Sequence, residues 1–134
     1  MSLYVYEHTV SFGDCDPAGI VYYPNFCDWA DATFHGYLRD HGPGHRALCA
    51  ELGARGLGLM EVGMRFRSPA VDGDRLAMVL DSIDWSERSF RVNYRALIGD
   101  RLVLDGFETR GVFVPGDDGR IRAAPVAPLR QRLG

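Results

Sequence analysis

The sequence predicts an α+β fold in which a curled antiparallel sheet wraps around one long central helix. Early in the chain, apolar residues recur at three- and four-residue steps over a long stretch, as on one face of a helix. Most of the chain after residue 58 instead alternates like strands joined by short turns, and such strands run antiparallel. Because a helix with a broad apolar face has to be covered, we expect the sheet to curl around it.

Length and composition predict a single globular domain covering residues 1–134. Domains commonly contain ~100–150 residues, and 46% apolar with 25% charged residues is an ordinary globular composition. The net charge of −3 argues against nucleic acid as a partner. The three cysteines, an odd number without paired spacing, argue against both a disulfide framework and a zinc site.

The N-terminal sequence and the lengths of the apolar runs are used to predict the cellular compartment. The N-terminal residues MSLYVYEHTV lack a basic region followed by a continuous apolar run, so no signal peptide is expected. No apolar run approaches the ~20 residues of a membrane span, so no membrane association is expected either. The predicted compartment is the cytoplasm.

The first elements are a strand, a loop and the long helix. Aromatic and β-branched residues predict a strand over Leu3–Phe12, which the loop Gly13–Gly19 interrupts. The helix is predicted to start between Tyr23 and Asn25, with a proline in its first turn, where a missing N–H costs least. Gly42-Pro43-Gly44 is expected to end it.

The second half is predicted to be mainly sheet. A short helix is expected between residues 44 and 56, ended by glycine. The predicted strands that follow it as one meander are Leu59–Arg67, Arg75–Trp85, Arg88–Ile98 and Arg101–Val114. A turn-rich connector, Ser68–Asp74, separates the first two of these strands. The tail from Pro125 is expected to be loosely ordered.

The loop before the long helix has the residues of an acyl-transfer site. Such chemistry needs a nucleophile or base, which Asp16 can supply, and a group that stabilises an oxyanion. A helix N-terminus presents unpaired N–H groups at a positive dipole end, so the Tyr23 N–H is a candidate donor to a carbonyl. Alternatively, Asp16 is an ordinary turn residue that accepts hydrogen bonds from nearby backbone N–H groups.

Residues 14–25, DCDPAGIVYYPN, resemble the active-site segment of hotdog-fold acyl-CoA thioesterases of the 4-hydroxybenzoyl-CoA thioesterase family. The match is dense over residues 12–32, and elsewhere mainly the order of elements agrees. Related thioesterases acting on aliphatic acyl-CoAs usually have His at the position of Pro24, so the Tyr-Pro-Asn form is similar to the branch that acts on aromatic acyl groups. The resemblance implies a hotdog fold and hydrolysis of an aromatic acyl-CoA.

The resemblance also implies roles for individual residues. Asp16 corresponds to the family's essential carboxylate, and Tyr23 to the residue whose backbone N–H polarises the thioester carbonyl. Asp31 corresponds to a helix acid that accepts a hydrogen bond from the ring hydroxyl of the substrate, and Gly19 to part of the substrate-binding loop. Asp16 attacks the thioester carbon to give an anhydride, or it activates water directly; the sequence leaves both open.

Two residues of the long helix, Asp31 and Cys27, also have a purely structural explanation. Asp31 can form an i,i+4 pair with His35 without any substrate. Cys27 shares a helix stripe with these two residues, but supporting metal ligands are absent, so no metal is predicted.

Residues predicted to contact the substrate also lie in the second half of the chain. Met60 and Glu61 are candidates for the acyl pocket, although strand alternation also explains them. Arg88 and Ser89 are the candidates for coenzyme A. The family's basic triplet is here reduced to Arg88, preceded by an opposing glutamate.

The sequence thus predicts a thioester hydrolase with no cofactor beyond the coenzyme A of its acyl-CoA substrate. Family proteins are tetramers with sites between the subunits of a dimer, so a homotetramer, a dimer of dimers, is expected. This agrees with the need to pair or cover the edges of an open sheet. Alternatives are an aliphatic acyl-CoA or acyl-carrier-protein thioesterase, and a non-catalytic binder of CoA ligands. The intact Asp16 and its Pro-Ala-Gly turn argue against the binder.

Overall fold

The computed structural model describes residues 1–134 and consists of one six-stranded antiparallel sheet with three helices. The strands are β1 Tyr4–Thr9, β2 Gly56–Phe66, β3 Arg75–Trp85, β4 Phe90–Ile98, β5 Arg101–Pro115 and β6 Ile121–Ala124. The helices are α1 Pro24–His41, α2 His45–Leu52 and α3 Ala127–Leu133. The predicted α+β class and the curled sheet around a central helix are confirmed.

Helix α1 is the element around which the sheet packs, and its predicted bounds are confirmed. Pro24 occupies its first turn and Gly42 follows its last residue. Its 18 residues give a rod of ~27 Å at ~1.5 Å per residue. One broad face is buried against the inner face of the sheet, and its buried residues are Phe26, Trp29, Ala30, Thr33, Phe34, Gly36, Tyr37 and Leu38.

The strand order is β1-β3-β4-β5-β2, with β6 added to the far part of β5. The prediction of one meander through all four later strands is therefore wrong for β2. Strands β3, β4 and β5 do form a meander, but β2 pairs with β5 and lies at the sheet edge opposite β1. The connection from β2 to β3 consequently crosses the end of the sheet.

Contacts made by the connector between β2 and β3 explain why it does not form a hairpin. The Val21 N–H donates to the Ala70 carbonyl at 2.9 Å, and the Gly73 N–H donates to the Val10 carbonyl at 2.8 Å. Ala70 is fully buried. The connector is thus anchored to the loop before α1. These partners are distant in sequence, so turn chemistry alone could not reveal the crossing.

The prediction of a loosely ordered tail is also wrong. Residues 121–124 pair with β5, and α3 buries Leu129 and Leu133 in the main core. Arg132 donates to the Glu51 carboxylate on α2, with Nε 2.9 Å from Oε2. A helix of only seven residues is marginal on its own, so tertiary packing decides the structure of this segment.

Other differences from the predicted elements are small. Strand β1 ends at Thr9, because Phe12–Asp14 forms a single 3₁₀ turn. Strand β2 begins at Gly56 rather than Leu59. No helix of the structure is both long enough and apolar enough to cross a membrane.

Candidate active site

The loop before α1 folds back on itself as a short antiparallel ladder. Cys15 pairs with Val21, and the Asp16 N–H donates to the Ile20 carbonyl at 2.9 Å. The turn between these two arms ends at Gly19, whose φ of +84° favours glycine. This turn sets the position of Asp16.

Asp14 holds the base of this loop. Its Oδ2 accepts hydrogen bonds from His8 Nε2 at 2.9 Å and from the Ser11 N–H at 2.8 Å. Its carbonyl accepts hydrogen bonds from the Tyr22 N–H and from the Asn25 side-chain amide, at 2.9 and 2.8 Å. Burial alone would raise the pKa of Asp14, but the Ser11 N–H and His8 together hold this pKa below its ordinary value. Asp14 is therefore an anionic support of the loop.

Asp16 lies at the turn and is half-buried. Its Oδ1 accepts a hydrogen bond from the Ala18 N–H at 2.8 Å, the contact expected of a turn aspartate. No hydrogen bond within the chain uses its Oδ2. The side chain lines an open cavity of about 430 Å³ between the loop and Asp72 of the connector. One carboxylate oxygen is thus free to act on a ligand in that cavity.

The backbone N–H of Tyr23 lies at the start of α1 and donates no hydrogen bond within the chain. Pro24 follows it and has no N–H. The Asn25 N–H donates to the Tyr22 carbonyl at 3.0 Å, and the Phe26 N–H donates to the Tyr23 carbonyl at 3.1 Å. The Tyr23 N–H is therefore the donor that this helix start offers to a carbonyl oxygen.

Tyr23 also lines an apolar cavity of about 530 Å³. Its walls include Tyr23, Phe26 and Phe66, whose rings contact one another: the Phe66 centroid lies 6.3 Å from that of Tyr23 and 5.8 Å from that of Phe26. The connector between β2 and β3 runs between this cavity and that of Asp16. Within one chain, Asp16 and Tyr23 therefore line neighbouring cavities rather than a single one.

Asp31 lies on the stripe of α1 that begins at Tyr23 and continues through Cys27, with one residue every four positions. The predicted pair with His35 is present, with Nε2 3.5 Å from Oδ1 of Asp31. A closer partner that the sequence did not reveal is Arg110 of β5, whose Nη2 donates to the same Oδ1 at 3.1 Å. The side chain of Asp31 is 52% exposed, so its carboxylate is accessible.

Arg110 belongs to a buried polar network on the inner face of β5. Its Nε and Nη2 donate to Glu108 Oε1 at 3.2 and 3.1 Å. The Tyr94 hydroxyl donates to the same oxygen at 2.6 Å. Burial, with the nearby Glu108 carboxylate, raises the pKa of Tyr94, so its hydroxyl stays protonated and donates. The sequence contained one indication of this network. The alternation of β5 places Glu108 and Arg110 on the same face as the buried Leu104 and Val112.

The other predicted acyl-pocket residues lie on the outer face of the sheet. Glu61 Oε1 accepts a hydrogen bond from Arg91 Nη2 at 3.4 Å, and Met60 sits at a β-bulge with its side chain next to Gly111. Gly19 is exposed at the loop turn. Within one chain the structure does not bring Met60 or Glu61 to Asp31, and their substrate role stays a prediction.

Arg88 and Ser89 lie in the exposed turn between β3 and β4. Arg88 Nη1 donates to the Ala123 carbonyl of β6 at 3.0 Å, and the Ser89 carbonyl accepts the Ser86 N–H at 2.9 Å. These contacts are structural. Arg88 remains exposed at the surface, and its coenzyme A contact stays a prediction.

Comparison with known proteins identifies the family to which this chain is related. A family model for the thioesterase-like superfamily matches residues 10–131. The 4-hydroxybenzoyl-CoA thioesterase of Pseudomonas sp. (strain CBS-3) is 34% identical over 126 residues, which cover 90% of this chain and 89% of that protein. A 1,4-dihydroxy-2-naphthoyl-CoA hydrolase of Synechococcus elongatus is 26% identical over 71% of this chain and 70% of its own length.

Solved structures of 4-hydroxybenzoyl-CoA thioesterase have the same fold as this chain. The Pseudomonas thioesterase superposes with a TM-score of 0.83 at 30% identity, with 97% of each chain covered. An aspartate-to-asparagine variant of 4-hydroxybenzoyl CoA thioesterase, complexed with 4-hydroxybenzoyl CoA, gives 0.82 at 30% identity and 97% coverage of each chain.

The fold and the comparisons together define a hotdog-fold thioester hydrolase. The chain belongs to the thioesterase-like superfamily, and its predicted resemblance to 4-hydroxybenzoyl-CoA thioesterases is confirmed.

Proposed function

We propose that this protein hydrolyses the thioester of an aromatic acyl-CoA whose ring carries a hydroxyl group, as in 4-hydroxybenzoyl-CoA. The observation that carries the proposal is the Tyr23 N–H at the start of α1, which donates no hydrogen bond within the chain. A thioester carbonyl that accepts this N–H is polarised towards attack, because charge develops on its oxygen in the transition state.

The spacing along α1 supports an acyl group of one ring. Asp31 lies eight positions after Tyr23, which is ~12 Å of helix rise. A hydrogen bond of ~3 Å at each end leaves ~6 Å, about the span of one para-substituted ring. A carbonyl at Tyr23 and a ring hydroxyl at Asp31 can therefore belong to the same acyl group, with Cys27 beside the ring.

Asp16 is the proposed catalytic carboxylate. Its free oxygen either attacks the thioester carbon, expelling the CoA thiolate and leaving a mixed anhydride, or removes a proton from an attacking water. Both routes end in one molecule each of carboxylic acid and CoA thiol. Label found in the Asp16 carboxylate after a single turnover in ¹⁸O-water would establish the anhydride route, because direct attack of water places the label only in the released acid.

We further propose that the site is completed between subunits of a homo-oligomer, which we expect to be a tetramer. Asp16 and Tyr23 line separate cavities in one chain, and Met60 and Glu61 face away from Asp31. A second copy could bring these groups to one substrate. Arg88 and Ser89 are the proposed contacts for the nucleotide end of coenzyme A, which enters as part of the substrate; no separate cofactor is needed.

The decisive experiment measures free-thiol release from a panel of acyl-CoAs. The panel contains 4-hydroxybenzoyl-CoA, benzoyl-CoA, 1,4-dihydroxy-2-naphthoyl-CoA and an aliphatic series. We expect Asp16→Asn to lower kcat on the preferred substrate by at least ~10³-fold while the substrate still binds, because the asparagine keeps the shape of the side chain but is neither base nor nucleophile.

Asp100→Asn, in the exposed turn between β4 and β5, is the matched control and should keep wild-type turnover. Near-normal kcat in Asp16→Asn would disprove the role of Asp16. Release from aliphatic substrates alone would instead favour a short- or medium-chain thioesterase. Binding of CoA ligands without any release would favour a non-catalytic binder, and release from acyl-carrier protein alone would identify a carrier-protein thioesterase.

A further inference from the structure

Arg110 makes more contacts than burial of its charge requires. The residue is 6% exposed, and its Nη1 donates to the Leu57 carbonyl of β2 at 2.9 Å. Its guanidinium also stacks on the Phe34 ring, with Cζ 4.4 Å from the ring centroid. With Glu108 and Asp31 as further acceptors, four groups from three elements hold the guanidinium in a single orientation.

Glu108 already balances the charge of Arg110. Both residues are almost fully buried, and Tyr94 donates to Glu108 as well, so the pair is hydrogen-bonded without any help from α1. A buried ion pair is not by itself a strong source of stability, because desolvation opposes the attraction between the charges. Charge balance therefore does not explain why Arg110 Nη2 also donates a hydrogen bond to Asp31.

The contact fixes one oxygen of Asp31 and leaves the other free. Arg110 Nη2 and His35 Nε2 both approach Oδ1, at 3.1 and 3.5 Å. No hydrogen bond within the chain uses Oδ2. A half-exposed aspartate on a helix would otherwise sample several rotamers. Arg110 thus restricts the directions in which Asp31 can present its free oxygen.

We propose that Arg110 is a positioning residue that sets acyl specificity: anchored by Glu108, Leu57 and Phe34, it orients the Asp31 carboxylate to accept a hydrogen bond from the distal hydroxyl of the acyl ring. This inference rests on the proposed function. It adds that discrimination between hydroxylated and unhydroxylated rings originates in the core of the sheet, behind the residue that contacts the substrate.

Lysine is the informative replacement at this position. It keeps the positive charge opposite Glu108, but it lacks the planar fork that reaches Glu108, Leu57 and Asp31 together. The readout is the ratio of kcat/KM for 4-hydroxybenzoyl-CoA to kcat/KM for benzoyl-CoA. Arg110→Lys should lower this ratio by ~10-fold or more while benzoyl-CoA turnover changes little, since a misplaced acceptor penalises only the substrate that has the hydroxyl.

A double-mutant comparison separates positioning from general loss of structure. If Arg110 acts through Asp31, then Asp31→Asn and the double variant Asp31→Asn/Arg110→Lys have the same ratio. Glu108→Gln, which keeps the volume of the side chain, should lower the ratio in the same direction and provides a second variant if Arg110→Lys folds poorly. Arg95→Lys, in the exposed pair with Asp81 on β4 and β3, is the matched control and should leave the ratio unchanged.

The outcomes also separate this inference from the proposed function. A wild-type protein that hydrolyses both substrates with equal kcat/KM would overturn the inference and leave the thioesterase proposal standing. An unchanged ratio in Arg110→Lys and Glu108→Gln, or a further fall in the double variant, would overturn it too. A wild-type protein that hydrolyses neither substrate would overturn both the proposed function and the inference about Arg110.

Discussion

At the scale of single residues, His45 links α2 to the start of β2. Its Nε2 accepts a hydrogen bond from the Leu57 N–H at 3.3 Å, so this nitrogen must be unprotonated in the folded state. Burial, followed by the positive charges of His35 and Arg110, lowers the pKa of His45, and Asp31 only partly opposes them. Protonation of His45 would break the link to β2.

This predicts an acid-sensitive contribution to stability. Because the folded-state pKa lies below the ordinary value of ~6.5, the unfolded chain binds the proton more readily as pH falls through that value. The contribution is fully present above the unfolded pKa and is lost towards lower pH. We expect the urea midpoint to fall between pH 7.5 and 5.5 more steeply in the wild type than in His45→Gln.

Glutamine is a matched replacement because its side-chain oxygen can accept the Leu57 N–H without titrating. The other histidines are present in both proteins, so the difference between the two slopes reports His45 together with its coupling to His35. Parallel slopes would contradict the prediction.

Only part of the candidate site could be predicted from the sequence. Asp16, Tyr23 and Asp31 lie within 16 residues of one another, and a local motif places them on one loop and one helix. The partner of Asp31 could not be predicted in this way. Arg110 lies 79 positions further along, and its contact depends on the pairing of β5 with β2 and on the packing of α1.

At the scale of elements, strands β2 and β5 approach closely where Gly106 of β5 lies against the backbone of Gly63 and Met64 of β2. A Cβ at Gly106 would overlap the Gly63 carbonyl oxygen and lie 3.1 Å from the Met64 Cα. Both obstacles are backbone atoms of β2, which cannot rotate away. This close approach sets the position of the strand that also carries the Leu57 carbonyl.

Gly106→Ala is therefore expected to destabilise the protein by ~2–3 kcal/mol, the usual cost of overpacking a site that cannot relax. Urea unfolding measures the change. Gly56→Ala on β2 is the matched control, because the nearest atom to its new Cβ would be His45 Nε2 at 4.0 Å, an ordinary contact. Equal midpoints for the two variants would show that the pair relaxes freely.

Most elements could be predicted from the sequence because their patterns are local. The periodicity of α1 and the alternation of β3 to β5 gave their positions within a few residues. The edge position of β2 depends on the buried Ala70 and its partner Val21, and α3 forms because Leu129 fits the core. Neither fact has a local pattern, so both required the tertiary structure.

At the scale of the whole molecule, the sheet has an uncovered edge at β2. This strand pairs on one side only, and its inward-facing Leu59, Val62 and Phe66 are 50%, 42% and 54% exposed. An edge that combines unpaired backbone groups with exposed apolar side chains favours association. We expect this edge to form an interface between two copies of the chain.

Sedimentation equilibrium tests this expectation. The wild type should have four times the 14.9 kDa mass of one chain, and Val62→Lys should shift the population to smaller species because it places a charge in the interface. Thioesterase activity should fall in parallel if the site is shared. Ile121→Lys on β6, where the native residue is 49% exposed, is the control. A wild-type monomer with full activity would contradict both expectations.

The strand order has a consequence for how the chain folds. Strands β3, β4 and β5 are joined by tight turns, so their pairings close short loops and form at little entropic cost. The two edge pairings join distant residues instead, Tyr4 with Leu80 and Leu57 with Val112. Because non-local pairings are slow to form, we expect the three-stranded meander to appear first and both edges to close last around α1. The N-terminal half of a nascent chain holds the proposed catalytic motif, so the candidate site would form only after the C-terminal half has been synthesised.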